Sequence, residues 1–168
     1  RTRLLAVASR NISSAEAYAR EWKIPRAHGS YEALLNDPEI DVIYNSLPNH
    51  LHAEWTIKAL RAGKHVLCEK PFAVSLKEVD AMIAASKETG KVLAEAFMYR
   101  HHEQTTKVKE IVDSGELGTL QLIKGAFSFK LEREGNYRWM TEMGGGSIWD
   151  VGCYPISYAR TIVGAEPV

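Results

Sequence analysis

Val66-Leu67-Cys68-Glu69-Lys70-Pro71 runs apolar and small residues straight into a carboxylate, an ammonium and a proline. The pattern predicts a buried strand whose end delivers Glu69 and Lys70 to the rim of a sheet. Open parallel sheets bind their ligands at that carboxyl edge. Pro71 disfavours helix at the residue before it, so Lys70 is expected in an extended rim position. There its ammonium would place positive charge beside a reacting oxygen. A surface lysine ahead of a proline turn produces the same six letters, and the stretch alone leaves both readings open.

Outward from this strand (His65 to Cys68), the flanking segments repeat one rhythm. Leu4 to Ala8, Asp41 to Asn45 and Val92 to Phe97 read as further strands by length and apolarity. Between them, Ser13-x-x-Glu16 is a capping box opening a helix through about Trp22, which Pro25 closes. Ser30 is the expected N-cap of Tyr31 to Leu35, broken by Asn36-Asp37-Pro38. Leu51 to Ala62 carries Trp55, Ile57 and Leu60 inward and stops at Gly63. Ser75-x-x-Glu78 is a second capping box, with a helix to Thr89 and Gly90 beyond. Strand and helix alternate at βαβ spacing, which predicts a parallel sheet with right-handed crossovers.

After Phe97 the rhythm changes. His102 to Asp113 reads as helix and Gly115 to Gly118 as a turn. Thr119 to Leu131 reads as a long strand of alternating character, with Leu120 and Leu122, then Phe127, Phe129 and Leu131. Long alternating strands belong to sheets with one exposed face. Gly144-Gly145-Gly146-Ser147 then opens a helix from Ile148 to about Val163. The expected fold class is α/β: an incomplete Rossmann (doubly wound parallel sheet) domain over residues 1–98. Residues 99–168 would begin an α+β domain with a largely antiparallel open sheet.

At 168 residues, 45% hydrophobic and 25% charged, the chain has the composition of a packed globule. Its 21 basic and 21 acidic residues cancel, which argues against a nucleic-acid or anionic-membrane surface. No run of roughly eighteen apolar residues encodes a membrane span. Cys68 and Cys153 form no CxxC pair, so a reduced, cytoplasmic setting is expected. A doubly wound dinucleotide domain opens with a strand, a Gly-rich turn and a helix before the strand that reads the ribose. Here the first strand reads as that second one, and Pro167-Val168 stops before a second sheet closes. The chain is therefore expected to be an internal piece of a longer protein.

Candidate site residues cluster at strand ends. Arg10 follows the first strand where NAD-binding folds carry an acidic residue for the ribose 2′-hydroxyl; an arginine there suits a 2′-phosphate, with Ser9 as a second donor. A solvated arginine at a strand end is an equal reading. Ser46-Leu47-Pro48-Asn49-x-x-His52 closes the next strand and could lie under a pyrophosphate or nicotinamide riboside, or be a simple capped turn. His50, His52, His101 and His102 show no HExxH or facial-triad spacing, so no metal is expected. The GGGS run follows a Trp-rich loop rather than a strand, which suits a loop entering an N-capped helix better than a phosphate loop. Asp150 and Tyr154, four apart, share a helix face and could aim a carboxylate and a phenol at one substrate opposite Lys70. Asp150 also suits a helix first turn for dipole reasons alone, and Tyr154 suits packing.

Together, Leu47-Pro48-Asn49-His50-x-His52, Glu69-Lys70-Pro71, the Ala96-Phe97-Met98-Tyr99-Arg100 strand exit and Gly144-Gly145-Gly146-x-x-x-Asp150-x-Gly152-x-Tyr154 resemble the glucose–fructose oxidoreductase / inositol dehydrogenase / rhizopine catabolism (Gfo/Idh/MocA) family. The resemblance implies an N-terminal Rossmann domain and a C-terminal α+β domain whose open sheet often forms the oligomer interface, hence a homo-oligomer. It implies Lys70 and Pro71 at the nicotinamide, Asp150 and Tyr154 at the substrate, and a cofactor edge of Ser9, Arg10, Ser46, Leu47, Pro48, Asn49, His52, Glu69, Lys70, Pro71 and Arg100. Tyrosine at position 154, where many members have histidine, resembles the branch of glucose–fructose oxidoreductase, NADP-linked xylose dehydrogenases and dimeric dihydrodiol dehydrogenases. Arg10 after Ser9 fits that branch's NADP preference, with NAD possible. The implied reaction moves a hydride between the nicotinamide and a hydroxyl-bearing carbon, foremost the anomeric carbon of an aldose. Tyr154 would take or give the proton, Lys70 would stabilise the phenolate or developing alkoxide, and Asp150 would orient the sugar or the lysine. The rivals are oxidation of an aromatic trans-dihydrodiol and a non-catalytic, nucleotide-sensing member.

Overall fold

The computed structural model describes residues 2–167. Five short parallel strands carry the first half: β1 (Ala6–Ala8), β2 (Arg26–His28), β3 (Val42–Asn45), β4 (His65–Cys68) and β5 (Leu93–Glu95). Helices α1 (Ile12–Trp22), α2 (Tyr31–Leu35), α3 (His52–Arg61) and α4 (Leu76–Thr89) connect them. β1 pairs with β2, and β3-β4-β5 form a separate ladder, every pair parallel. The alternation read from the sequence is therefore present, but among the described residues the strands make two sheets rather than one.

β2 was not expected. Arg26-Ala27-His28 has no apolar run, yet it pairs in register with Ala6-Val7-Ala8. A half-buried polar network centred on Asp37 supports it: Arg26 Nη1 donates to Asp37 Oδ2 at 2.9 Å, and His28 Nε2 lies 3.3 Å from the same oxygen.

Local signals set the helix ends. At Ser75 the first half of the capping box forms as read, with Ser75 Oγ accepting from the Glu78 amide at 3.3 Å, while Glu78 Oε2 reaches one residue further back and accepts from the Val74 amide at 3.0 Å. At α1 the cap is Asn11, not Ser13. Its Oδ1 accepts from the Ser14 amide at 2.8 Å and draws in the Ser13 hydroxyl at 3.0 Å. α1 ends at Lys23, in the left-handed region at φ 54°, before Pro25 is reached. Ser30 caps α2 as expected, accepting from the Ala33 amide at 3.1 Å.

The core lies between α3, α4 and the β3-β4-β5 sheet. Leu60, Met82, Ala59 and Cys68 are fully buried there, with Trp55 and Ile57 packed alongside. Trp55 meets the edge of Tyr31 with ring centroids 4.8 Å apart, which ties α2 to α3.

Beyond β5, a 3₁₀ turn (Met98–His101) leads to α5 (Glu103–Asp113), whose N-cap His102 accepts from the Gln104 amide at 3.1 Å. The long strand expected over Thr119 to Leu131 is not formed. A strand needs a ladder partner, and the described residues offer none there. Instead this stretch crosses the last helix, where Gly125 lies so near Pro155 that an added Cβ would sit 2.9 Å from its Cβ. The antiparallel sheet, and the oligomer surface expected on it, thus have no ladder among the described residues. The final helix also departs from the sequence reading: Ile148–Gly152 is a π turn that passes into α6 (Cys153–Val163), and Ser147 gives no side-chain cap.

Candidate active site

β3, β4 and β5 end at a common level. Glu69 N donates to Asn45 O at 2.9 Å and Ala96 N to Cys68 O at 2.8 Å, so the three carboxyl ends form one rim. A cleft of about 420 Å³ opens over it. Ser46, Leu47, Asn49, Glu69 and Lys70 form one wall; Phe127, Phe129, Tyr137, Arg138, Asp150 and Tyr154 face them.

The two turns at the rim are joined by His52, which is wholly buried. Its ring sits between two carbonyls, Nε2 2.7 Å from Leu47 O and Nδ1 2.8 Å from Pro71 O. The turn after β3 is thereby held to the turn after β4. Asn45, also buried, shapes the first turn: Nδ2 donates to His52 O and to Thr56 Oγ1, each at 3.1 Å. Glu95 shapes the second from below, accepting from the Phe72 amide at 3.0 Å. Burial pushes the Glu95 carboxyl up, opposed by that amide and by the charges of Arg100 and Arg160.

Lys70 leaves this rim and crosses to the last helix. Its Nζ lies 3.1 Å from Asp150 Oδ1 and also donates to the Asp150 carbonyl. The same ammonium stands 5.1 Å from the centroid of the Tyr154 ring. Sequence spacing had put Asp150 and Tyr154 on one α-helical face. The structure reaches a similar convergence through the π turn, a local widening often found at functional sites. Tyr154 is packed edge-on against Phe97 and tilted against Phe127, at centroid distances of 5.5 and 5.3 Å. Burial first, and then the negative charges of Glu69, Cys153 and Asp150, raise the Tyr154 phenol above its ordinary range. Its proton is held firmly.

Glu69 is turned the other way. Its Oε1 accepts from the Tyr44 hydroxyl at 2.5 Å and its Oε2 from the Lys70 amide at 3.2 Å. The Tyr44 phenol, bonded to that carboxylate and partly desolvated, is pushed up to about 12.

Besides Glu69 and Lys70, two further residues of the expected cofactor edge have side chains already engaged with protein. Asn49, buried, donates Nδ2 to Gly144 O at 2.8 Å, and His52 is placed as above. Pro48 precedes the 3₁₀ turn Asn49–Leu51, and Pro71 is buried behind the rim with its carbonyl on His52. Ser9 and Arg10 end β1, Arg10 exposed, and neither lines the cleft. Arg100 is exposed in the turn after β5, acting on Glu95 rather than facing the cleft. Among the described residues no three His, Cys, Asp or Glu side chains gather as a metal site. No described helix is long and apolar enough to cross a membrane.

Sequence reasoning missed Arg138. Its Nε donates to Asp150 Oδ2 at 2.9 Å, on the opposite side of the carboxylate from Lys70. The triple glycine holds it in place. Gly146 N donates to Arg138 O and Gly145 N to Met140 O, both at 2.9 Å. A Cβ on Gly145 would meet the carbonyl oxygens of Tyr137, Arg138 and Met140 at 2.6 to 2.7 Å. Those oxygens would repel a phosphate, which removes the phosphate-loop reading of this glycine run.

A nicotinamide dinucleotide fits this rim in part. The strand-end cleft with Lys70 suits the nicotinamide end, and the turn after β1 suits the adenosine ribose. A glycine-rich strand-to-helix turn for the pyrophosphate is absent among the described residues.

Comparison with known proteins agrees with this architecture. The model of the GFO_IDH_MocA oxidoreductase family with an NAD-binding Rossmann fold matches residues 1–97, and that of the GFO/IDH/MocA C-terminal domain matches residues 105–168. The chain belongs to the Gfo/Idh/MocA oxidoreductase family. It is 46% identical over 160 residues to D-xylose 1-dehydrogenase (NADP(+)) 2 of Haloferax volcanii, covering 95% of this chain and 49% of that one. Trans-1,2-dihydrobenzene-1,2-diol dehydrogenase of Mus musculus is 34% identical over 163 residues, covering 97% and 49%. The crystal structure of aldose-aldose oxidoreductase from Caulobacter crescentus complexed with glycerol superposes with a TM-score of 0.91 at 33% identity, covering 99% of this chain and 51% of that one. The chain spans about half the length of the curated relatives it matches.

Proposed function

We propose that the protein containing this chain is an NADP-dependent dehydrogenase acting on a hydroxyl-bearing carbon of a sugar, foremost the anomeric carbon of an aldose. The observation that carries this reading is the gathering of Lys70, Asp150 and Tyr154 at one strand-end cleft. NADP, when bound, supplies the hydride acceptor or donor. Everything else is assigned to side chains of this chain.

Tyr154 holds the proton that is exchanged with the substrate oxygen. Burial works against loss of that proton. In oxidation the nearby Lys70 ammonium is therefore assigned to favour the phenolate that accepts the substrate's proton, and in reduction the phenol gives it back to the carbonyl oxygen. Lys70 is committed to Asp150 over the ring face, so its charge is assigned to the alkoxide that develops on the substrate oxygen. Asp150 fixes the ammonium. Exposed Arg10, with Ser9, is assigned to the ribose 2′-phosphate. The four charged groups of the cleft are Glu69, Lys70, Arg138 and Asp150, two of each sign, which favours an uncharged polyhydroxy substrate over an ionic one.

Phe127, Phe129 and Tyr137 along one wall favour a second reading, an aromatic trans-dihydrodiol lying flat on those rings. The test is a panel of D-xylose, D-glucose and trans-1,2-dihydrobenzene-1,2-diol with NADP or NAD, followed by absorbance of the reduced nicotinamide. The chain is assayed with whatever flanks it in its native reading frame. Turnover of an aldose with NADP supports the first reading, and turnover of the diol alone supports the second. Dinucleotide binding without reduction on any of them supports a nucleotide-sensing role and removes both.

A further inference from the structure

We propose that Arg138 is a positioning residue that acts through Asp150 to set where the Lys70 ammonium stands. This rests on the assignment of Lys70, Asp150 and Tyr154 to the reaction. Asp150 is 7% exposed and its carboxylate is divided between two cations, with Oδ1 facing Lys70 Nζ at 3.1 Å and Oδ2 facing Arg138 Nε at 2.9 Å. A buried carboxylate with one oxygen unpaired is costly, so each oxygen keeps its own cation. Arg138 is itself fixed. Asn136 Oδ1 accepts from the Arg138 amide at 3.0 Å, Gly146 N donates to its carbonyl, and its guanidinium carbon lies 4.8 Å from the Tyr137 ring centroid.

The consequence is directional. Lys70 is bonded to both the side chain and the carbonyl of Asp150. Without Arg138, the carboxylate is free to turn both oxygens toward the ammonium and draw it off the Tyr154 ring face. The charge would then sit away from the oxygen that reacts. A displacement of this kind lowers the rate of the chemical step and leaves cofactor affinity alone.

The test is a double-mutant cycle of Arg138→Met and Asp150→Asn on the protein with its native flanking sequence. The substrate is whichever of D-xylose, D-glucose and the dihydrodiol turns over fastest with NADP. Arg138→Met is expected to lower kcat about tenfold to a hundredfold, the scale of one hydrogen bond to a charged group, with the Kd for NADP unchanged. In the Asp150→Asn background the same substitution should cost less than about twofold, because its partner is already gone. Arg138→Lys, which keeps charge but not the planar guanidinium contact, should recover part of the loss, and it stands in if the methionine variant does not fold.

Independent, multiplicative losses overturn the proposal. So does a rise in substrate KM at unchanged kcat, which would place Arg138 on the substrate directly. Should the wild-type protein turn over none of the three substrates, the functional reading fails on its own. The same cycle followed by urea unfolding then tests the pairing of Arg138 with Asp150, and additive stability changes there overturn the proposal.

Discussion

Asn49 donates its side-chain amide to the carbonyl of Gly144, a buried 2.8 Å hydrogen bond between residues 95 positions apart. It is the direct tie between the turn after β3 and the glycine loop that carries Arg138 toward Asp150. Gly144 has φ 74°, and a Cβ there would stand 2.5 Å from Val74 Cγ1 and 2.9 Å from Asn49 Cβ. Gly144→Ala therefore combines left-handed backbone strain with overpacking and should destabilise by about 2–4 kcal/mol. Asn49→Ala leaves a buried carbonyl without its donor and should cost about 1–3 kcal/mol. Urea unfolding of both variants measures this, and a Gly144→Ala protein as stable as wild type would contradict the packing described.

Removal of the Tyr154 hydroxyl should act on turnover and not on folding, whereas Lys70→Met also leaves one oxygen of the buried Asp150 carboxylate unpaired and lowers stability as well. Tyr154→Phe and Lys70→Met are each expected to lose at least about a hundredfold in kcat, the usual scale of a positioned acid–base group. Circular dichroism of Tyr154→Phe should stay that of wild type. Near-normal turnover of Tyr154→Phe would remove that residue from the reaction.

Alkaline titration offers a check on the Tyr44–Glu69 bond. The Tyr44 phenol is raised from its ordinary 10.0 to about 12. A raised value means stability fully present below pH 10 and lost as pH rises through the folded value, because the unfolded chain gives up that proton first. Tyr44→Phe should thus flatten the stability loss between pH 10 and 12 and remove the last phenolate to appear in the ultraviolet difference spectrum. A spectrum in which all tyrosines titrate together near pH 10 would contradict the bond.

Exchange of charge at the end of β1 should change the preferred dinucleotide. Arg10→Asp is expected to raise the KM for NADP at least about tenfold and to improve use of NAD, since a carboxylate repels a 2′-phosphate and accepts from a 2′-hydroxyl. Kinetics with both dinucleotides measure the ratio. An unchanged ratio would show that Arg10 is only a solvated strand-end residue.

Much of the first half was legible because its signals are local. Four strands and the Ser30 and Ser75 caps lie within a few residues of what they control. β2 was not legible, since Arg26 and His28 enter a strand through a distant Asp37 rather than through apolarity. Asn11 displaced Ser13 as the α1 cap because two capping side chains two residues apart read alike. Lys70, Asp150 and Tyr154 were recognisable by motif and do converge, although the π turn that brings the latter two together leaves no mark in the letters. Arg138 had no signal at all. Its partner lies twelve residues on, across a loop whose path depends on three glycines and on Asn49. The alternating stretch from Thr119 to Leu131 shows the converse: periodicity states what a segment could pair with, and a ladder still needs a neighbour.

Because the cleft carries two positive and two negative side chains, its field largely cancels a few ångströms out. Encounter with a neutral substrate then gains nothing from long-range attraction and loses nothing when counterions are added. Capture of the uncharged sugar proposed above should proceed at nearly the same rate in dilute buffer and in strong brine, a tolerance that comes from the substrate's own lack of charge and that the pairing inside the cleft leaves undisturbed.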